Sequence, residues 1–288
     1  MKILLTGASG FTGLFFKKQA EAAGHTIWSL TADLTDKSAV FDEVTQAQPN
    51  AVVHLAAISF VGHADEAAFY SVNVIGTLNL LAALAGLRVK PTQILLASSA
   101  NVYGNCMTSP IGEQQAPFPV NHYATSKLAM EFMARTYLDR LPIVITRPFN
   151  YTGPGQAPQF LIPKLVSHFA QRSESIELGN LHVEREFNDV RMVCDAYLNL
   201  LSHGESGEVY NVCSGQPFTL MHVLDTLSKL TDHSIEAKVN PAFVRANEVH
   251  RLCGDPSKLH ALMKCANASH TQYALSDTLK WMLAEAAN

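Results

Sequence analysis

A tyrosine and a lysine four residues apart, Tyr123 and Lys127, form the pair in this sequence best suited to chemistry. The apolar residues that follow them predict a helix, and positions i and i+4 share a helix face. A fixed ammonium favours the phenolate, so we expect a phenol pKa lowered from about 10 toward neutral and proton transfer at a carbonyl. A surface helix that carries both residues by chance is the alternative, and it is favoured if the pair is considered alone.

The composition indicates an ordinary soluble globular chain, long enough for one large domain or two modest ones. Of its 288 residues 48% are hydrophobic and 16% are charged, and the net charge is −4. No basic cluster suggests nucleic acid or an anionic membrane, and we expect no stretch to reach membrane-spanning length. The five cysteines are scattered without metal-ligand spacing, so we expect reduced thiols, no metal site and a cytoplasmic protein.

The N-terminal residues are typical of the first unit of a dinucleotide-binding fold. A short apolar strand precedes a turn that contains Gly7, Gly10, Phe11 and Gly13, and a helical pattern follows. Such glycines would let the backbone approach a pyrophosphate, which would rest on the helix N-terminus. The spacing G-x-x-G-x-x-G differs from the usual G-x-G-x-x-G, and glycines can also be simple turn residues. We predict that these four residues bind the cofactor.

The end of the second strand bears on which cofactor binds. In NAD-preferring folds an acidic residue ends this strand and binds the ribose hydroxyls, but Ser29, Leu30 and Thr31 stand here. No carboxylate repels a 2′-phosphate, so NADP(H) is favoured and NAD(H) is the alternative. Asp33, followed by Leu34, is placed to meet the adenine end of the cofactor. Asp33 could equally cap the helix that follows.

A third strand, predicted over residues 51–57, is a near-continuous apolar run of the kind that a central parallel strand needs. It ends in Leu55, Ala56 and Ala57, and the small alanine side chains would let the cofactor pass closely. His54 within this run is more typical of a satisfied core histidine than of a ligand or base.

Ser99 follows another apolar strand, Gln93 to Ala97, at the edge where ligands bind in open α/β sheets. A serine at a strand end is also a common turn or cap residue. Asn73, within a long apolar helix predicted over residues 69–85, is expected to bond neighbouring backbone.

The alternation of strands and helices up to about residue 150 predicts an α/β fold: a Rossmann-like, doubly wound parallel sheet with a smaller discontinuous C-terminal lobe. We expect residues 1–150 and 187–212 to form the dinucleotide-binding domain. Residues 151–186 and 213–288 are expected to form the substrate-binding lobe.

These motifs together resemble the extended short-chain dehydrogenase/reductases that act on nucleotide sugars. The glycine turn, Ser99, the Tyr123 and Lys127 pair and the strand end 147–150 occur in that family's order and spacing. Within the family the chain is most similar to the GDP-4-dehydro-6-deoxy-D-mannose reductases, which form GDP-D-rhamnose. Segments 147–156, 209–215 and 254–259 carry that similarity, whereas the usual Gly-Trp-x-Pro segment past residue 260 is missing.

The resemblance implies hydride transfer from a nicotinamide to C4 of a keto sugar, with Tyr123 as the proton donor. Lys127 would hold the nicotinamide ribose and keep the phenol pKa low, and Ser99 would bond the same oxygen. The resemblance also implies a GDP-sugar substrate and a homodimer. Substrate contacts are expected from Asn150, Arg185 and, near the diphosphate, Arg245, with a structural or solvated ion pair as the alternative for the arginines.

Asn101 helps to choose among the reactions of this family. A 4,6-dehydratase needs a carboxylate two residues after the catalytic Ser or Thr, and Asn101 stands there, as a predicted substrate contact. An amide cannot shuttle protons, so dehydration is disfavoured. Asn101 also departs from the reductases, which often carry Asp. A C4 epimerase, a reductase that forms the 6-deoxy-talose product and, from another class, a non-catalytic dinucleotide sensor stay open.

Overall fold

The structure is a computed structural model that describes residues 1–243, 249–268 and 271–286. Apolar runs and capping residues give these residues their strands and helices. The strands in these residues are β1 (Lys2–Thr6), β2 (Thr26–Ser29), β3 (Ala51–His54), β4 (Gln93–Ala97), β5 (Ile143–Pro148), β6 (Tyr151–Thr152), β7 (Ser175–Leu178), β8 (Glu184–Arg185), β9 (Asn188–Asp189), β10 (Val209–Val212), β11 (Phe218–Thr219), β12 (Glu236–Val239) and β13 (Arg251–Leu252). The α-helices are α1 (Phe11–Ala22), α2 (Lys37–Ala47), α3 (Glu66–Tyr70), α4 (Thr77–Gly86), α5 (His122–Arg135), α6 (Leu161–Ala170), α7 (Val190–His203), α8 (Leu220–Thr231), α9 (Ser257–Cys265) and α10 (Leu275–Ala286).

The main sheet has six strands in the order β2-β1-β3-β4-β5-β10, and all neighbours are parallel. The predicted doubly wound parallel sheet is therefore confirmed. Helix α2 carries the chain from β2 across β1 to β3, so the strand order reverses at β1. Ligands in such sheets bind outside the carboxyl ends of the strands at this reversal. The glycine turn after β1 and residues 55–57 after β3 lie on either side of it.

Both faces of the sheet are covered, which explains why its strands are apolar on both sides. Helices α2, α4 and α5 cover one face, and α1, α7 and α9 cover the other. Leu259 and Met263 of α9 are buried in that second cluster, so α9 packs on the main sheet although we assigned its residues to the smaller lobe. The smaller lobe has its own core, formed mainly by α6, α8, α10 and β7.

The helix over residues 66–86 corrects one expectation. It joins α3 to α4 through a π-helical turn, Ser71–Gly76, and is 21 residues long. By length and apolar composition alone it could cross a membrane, so the expectation that no stretch reaches that length is wrong. The predicted helix was too short because Asp65 accepts hydrogen bonds from the N–H groups of Ala67 and Ala68 and starts it earlier. Half of its apolar window is buried inside the protein, where α4 packs against α2.

Candidate active site

The turn between β1 and α1 is shaped by the absence of side chains. Gly7 has φ of +69°, and a Cβ there would lie 2.7 Å from the nitrogen of Ala56 at the end of β3. A Cβ on Gly13 would lie 2.1 Å from the carbonyl oxygen of Gly7. Helix α1 begins after Gly10 without a side-chain cap and without an acidic residue in its first turn. Its N–H groups and dipole therefore suit a pyrophosphate, and this cradle fits a dinucleotide.

The end of β3 is held by hydrogen bonds to β1. The N–H groups of Leu55 and Ala56 donate to Thr6 Oγ1 at 3.2 and 3.1 Å. Buried His54 bonds Thr6 Oγ1 through Nδ1 at 2.7 Å and Thr77 Oγ1 through Nε2 at 2.8 Å. Burial, with a contribution from the charge of Lys127, lowers the pKa of His54 to about 3. The prediction of a satisfied core histidine is confirmed.

Tyr123 and Lys127 lie on α5, which begins after Asn121, whose side chain accepts from the N–H of Ala124 at 2.8 Å. Tyr123 is 8% exposed and Lys127 is 4% exposed, which rules out a solvated surface pair. Lys127 Nζ donates to the carbonyl oxygen of Ala97, at the end of β4, at 2.8 Å. Burial lowers the pKa of Lys127 to about 8, and the charge of Glu131 opposes this shift.

The phenol of Tyr123 behaves differently from the sequence-based expectation. Burial raises its pKa above 10, and a hydrogen bond with the Ser99 side chain offsets only part of this effect. The expectation of a phenol pKa lowered toward neutral is therefore wrong, because desolvation outweighs the favourable contacts of the phenolate. A phenol that stays protonated at neutral pH is suited to give a proton.

Ser99 is fixed at the end of β4 by its neighbour Asn101. The backbone N–H of Asn101 donates to Ser99 Oγ at 3.2 Å, and Asn101 Nδ2 donates to the same oxygen at 3.1 Å. A hydroxyl accepts two hydrogen bonds and donates one, so Asn101 leaves Ser99 its donor capacity. Ser99 is also hydrogen-bonded with Tyr123, and its O–H is the donor left for that bond. Asn101 thus orients Ser99, and its expected contact with the substrate stays a prediction.

Asn73 connects this site to the loop after β3. Its Oδ1 accepts from the N–H of Ile58 at 2.9 Å, and its Nδ2 donates to the oxygens of Ile58 and Ser126 at 3.2 and 3.0 Å. Ser126 in turn donates to the carbonyl oxygen of Tyr123 at 2.8 Å. The expected structural role of Asn73 is confirmed, and it extends to the first turn of α5.

Three other predicted cofactor residues, Asp33, Leu34 and Phe11, have different surroundings. Exposed Asp33 accepts from both the N–H and the hydroxyl of Thr35 at 2.8 Å, and these bonds lower its pKa. Asp36, not Asp33, caps α2, so the alternative reading of Asp33 as the cap is wrong. Leu34 is buried in the core beneath this loop. Phe11 is the first residue of α1 and is partly buried.

A carboxylate that the sequence did not reveal lies at the end of β2. Glu43 of α2 accepts from Trp28 Nε1 at 3.1 Å, from the N–H of Thr31 at 3.0 Å and from the N–H of Ala32 at 2.8 Å. The statement that no carboxylate stands at this strand end is therefore wrong. The carboxylate comes from a helix twelve positions after Thr31, and only its place on the α2 face toward β2 could have indicated it.

The predicted substrate residues Asn150 and Arg185 lie in different hydrogen-bonding surroundings. Asn150 follows β5 and is partly buried, and its carbonyl oxygen accepts from the N–H of Asn188 at 2.9 Å. Arg185 on β8 donates to its neighbour's carbonyl oxygen at 2.9 Å, to that of His250 at 3.1 Å and to that of Val249. Its guanidinium is thus bonded to backbone. Arg245 lies outside the described residues.

A buried ion pair next to the site was also missed by the sequence analysis. Arg147 donates to Glu131 through Nε at 3.0 Å and Nη2 at 2.6 Å, and Ser98 Oγ donates to the same carboxylate at 2.5 Å. Tyr123, Lys127 and Glu131 follow each other at intervals of four on α5, so the helical period was the signal that could have placed Glu131 on this face.

Comparison with known proteins agrees with this geometry. Residues 15–266 match the family described as GDP-mannose 4,6 dehydratase. The chain is 39% identical over 265 residues to the GDP-6-deoxy-D-talose 4-dehydrogenase of Aggregatibacter actinomycetemcomitans and 37% identical over 275 residues to the GDP-6-deoxy-D-mannose reductase of Pseudomonas aeruginosa, with 90% of each chain covered in both cases. The solved structure of RMD from Pseudomonas aeruginosa complexed with NADPH is 32% identical and superposes with a TM-score of 0.90, over 99% of this chain and 98% of that chain.

Proposed function

Because the chain belongs to the GDP-mannose 4,6 dehydratase family, within the nucleotide-sugar short-chain dehydrogenase/reductases, we propose that it reduces the C4 keto group of GDP-4-dehydro-6-deoxy-D-mannose with NAD(P)H to GDP-D-rhamnose. Its relatives and structural neighbours are NAD(P)-dependent enzymes of nucleotide sugars, and so is this chain. The resemblance inferred from the sequence is thereby confirmed at that level. The names of both relatives refer to GDP-6-deoxy-hexoses, which supports the substrate class.

The observation that carries the proposal is the environment of Ser99. Dehydration removes a proton and a hydroxyl from neighbouring carbons and needs a group that can accept and return a proton. The position beside Ser99 is filled by the amide of Asn101, whose Nδ2 donates to Ser99 Oγ at 3.1 Å. An amide orients a hydroxyl but does not exchange protons at neutral pH. The site therefore favours simple carbonyl reduction over dehydration.

The side chains of the site divide the work of such a reduction. The nicotinamide dinucleotide, when bound, supplies the hydride. Tyr123 gives its phenolic proton to the C4 oxygen, and its raised pKa keeps the phenol in the protonated form that this step requires. Ser99, a hydrogen-bond donor because Asn101 fills its acceptor positions, stabilises the charge that develops on the same oxygen. Lys127 would hold the nicotinamide ribose, and its ammonium balances the phenolate left behind.

The glycine turn is the part of this site that would hold the cofactor phosphates. Gly7 and Gly13 allow the close packing of turn, helix and strand, and the uncapped start of α1 presents its N–H groups. Leu55, Ala56 and Ala57 line the neighbouring strand end, where Ala56 is fixed to Thr6. The sequence favours NADP(H) over NAD(H).

Reduction to the 6-deoxy-talose product is the second candidate. The 39% identity to a GDP-6-deoxy-D-talose 4-dehydrogenase supports it. The two products differ only in the face of C4 that receives the hydride, so the same Ser99, Tyr123 and Lys127 serve both. What separates them is how the sugar ring is presented to the nicotinamide.

Two measurements test the proposal. The protein is mixed with GDP-4-dehydro-6-deoxy-D-mannose and either NADH or NADPH, and we expect loss of the reduced-nicotinamide absorbance. The configuration at C4 of the product is then read by NMR coupling constants. GDP-D-mannose with the oxidised cofactor serves as the control, since a dehydratase would convert it. Conversion of GDP-D-mannose, or no turnover of the keto sugar with either cofactor, would refute the reductase proposal. An axial hydroxyl at C4 of the product would show that the enzyme forms the 6-deoxy-talose product and not GDP-D-rhamnose.

A further inference from the structure

The loop after β2 converges its hydrogen-bond donors on one carboxylate. Glu43 accepts from the N–H of Ala32 at 2.8 Å, the N–H of Thr31 at 3.0 Å, the hydroxyl of Thr31 at 3.2 Å and Trp28 Nε1 at 3.1 Å. Burial raises the pKa of Glu43, but these hydrogen bonds together outweigh it and lower the pKa below its usual value. Glu43 is therefore an anion across the neutral pH range.

The strand register places this carboxylate beside the glycine turn. β1 and β2 run parallel with Leu5 opposite Ser29, and the N–H of Leu30 donates to the carbonyl oxygen of Leu5 at 2.9 Å. Thr31 and Gly7 each follow the paired residues by two positions, so they lie level at the carboxyl edge of the sheet. A dinucleotide whose pyrophosphate rests on the glycine turn would bring its adenosine ribose to the end of β2.

The residues that line the cavity around Glu43 bring no positive charge, although Lys2 Nζ lies 4.6 Å from the centre of the Trp28 ring that borders it. A surface cavity of about 490 Å³ opens here, lined by Trp28, Thr31, Ala32, Ala39, Asp42, Glu43 and Gln46. Two of these residues are acidic, and the lining contains no lysine or arginine. A 2′-phosphate needs cationic or N–H donors, and the N–H groups of Thr31 and Ala32 are already bonded to Glu43.

We infer that Glu43 is a specificity-determining residue that selects a dinucleotide with a free 2′-hydroxyl, NAD(H), over one with a 2′-phosphate. Glu43 takes the role that an acidic residue at the end of the second strand takes in NAD-binding folds, but it reaches that place from a helix. It acts through charge repulsion and by holding the donors that a phosphate would use. The inference reverses the preference for NADP(H) suggested by the sequence. It rests on the dinucleotide site of the proposed function and not on the sugar.

Direct binding measurements test this inference without turnover. Dissociation constants of NADH and NADPH are measured by fluorescence titration, and those of 5′-AMP and 2′,5′-ADP by calorimetry, for the intact protein. We expect each 2′-phosphorylated ligand to bind at least about tenfold more weakly than its partner. Glu43→Ala should reduce this ratio to about threefold or less, chiefly by tighter binding of NADPH. Asp42→Ala is the matched control, since it removes a charge from the same cavity but no hydrogen bond to the loop.

The outcomes separate cleanly. Equal or tighter binding of NADPH by the unmodified protein overturns the inference even if Glu43→Ala fails to fold. An unchanged ratio in a folded Glu43→Ala, or an equal loss of selectivity in Asp42→Ala, also overturns it. Selective binding of NADH together with no reduction of the keto sugar would refute the proposed reaction while leaving the role of Glu43 intact.

Discussion

Helix α5 buries two charged side chains one turn apart and surrounds them in opposite ways. Glu131 receives two hydrogen bonds from Arg147 and one from Ser98, and this pairing raises the pKa of Arg147 despite its burial. Lys127 donates to a single backbone carbonyl oxygen, and burial lowers its pKa to about 8. The satisfied charge holds the helix on the sheet, whereas the poorly compensated charge lies beside Tyr123, where a cation is useful.

The largest effect is expected for the rate of reduction when Tyr123, the proton donor beside Lys127, is changed. Tyr123→Phe removes the proton donor but keeps the ring that packs against Phe69. Loss of a general acid costs about 10²–10⁴-fold in rate, so kcat should fall within that range. The dissociation constant of the preferred nicotinamide cofactor, measured by fluorescence titration, should change less than about threefold. A variant that keeps most of its rate would show that another group supplies the proton.

The contribution of the buried ion pair between Glu131 and Arg147 is tested by Glu131→Gln. The variant leaves the guanidinium of Arg147 buried, 5% exposed, without its counter-charge. Breaking a buried pair on one side costs about 3–5 kcal/mol, and we expect the free energy of unfolding in urea to fall by that amount. Replacing both partners with methionine should restore most of the loss, since neither charge is then buried. A loss below about 1 kcal/mol for Glu131→Gln would mean that the pair does not hold the helix.

The contribution of the Lys127 charge is tested by Lys127→Met, which should change the free energy of unfolding less than Glu131→Gln does. The folded pKa of Lys127, about 8, lies below its ordinary value of 10.5, so the unfolded chain binds the proton more tightly. The ammonium therefore destabilises the fold at pH 7, and this penalty disappears as the pH rises from 8 to 10.5. The variant should gain about 1–3 kcal/mol at pH 7 while losing activity, less any cost of leaving the carbonyl oxygen of Ala97 unbonded. Urea unfolding at pH 7 and pH 10 checks the sign, since the gain should shrink at the higher pH.

The same titration predicts how the rate of the unmodified protein depends on pH. Lys127 loses its positive charge as the pH rises through about 8. Below that value, we expect a plateau in the rate of keto-sugar reduction, because both Lys127 and Tyr123 are protonated. Above it the rate should decline. A rate that stays constant to pH 10 would show that the ammonium is not required.

The features that the sequence predicts well are those set by local periodicity. The helical period places Tyr123 and Lys127 on one face, and the rule that ligands bind at strand ends places Ser99 beside them. The apolar run Gln93–Ala97 gives β4 its limits. Each of these depends on neighbours within a few positions, which the sequence displays directly.

The features that the sequence did not reveal depend on contacts between elements. Glu43 acts at the end of β2 only because α2 packs across that loop, and Glu131 reaches Arg147 only because α5 lies over β5. The pKa of Tyr123 depends on how completely the folded chain excludes water, which residue types alone do not determine. Arg185 is a predicted substrate residue, and contacts between elements bond its guanidinium to the backbone of residues 249–250.

The position of β10 has a consequence for the order in which the chain folds. β10 completes the main sheet beside β5, but roughly 60 residues, including much of the smaller lobe, lie between the two strands. During synthesis the first five strands can pair while the outer edge of β5 is still uncovered. An apolar strand with a free edge is a template for aggregation. We therefore expect the free edge of β5 to be exposed until residue 212 emerges, and β10 to cover it.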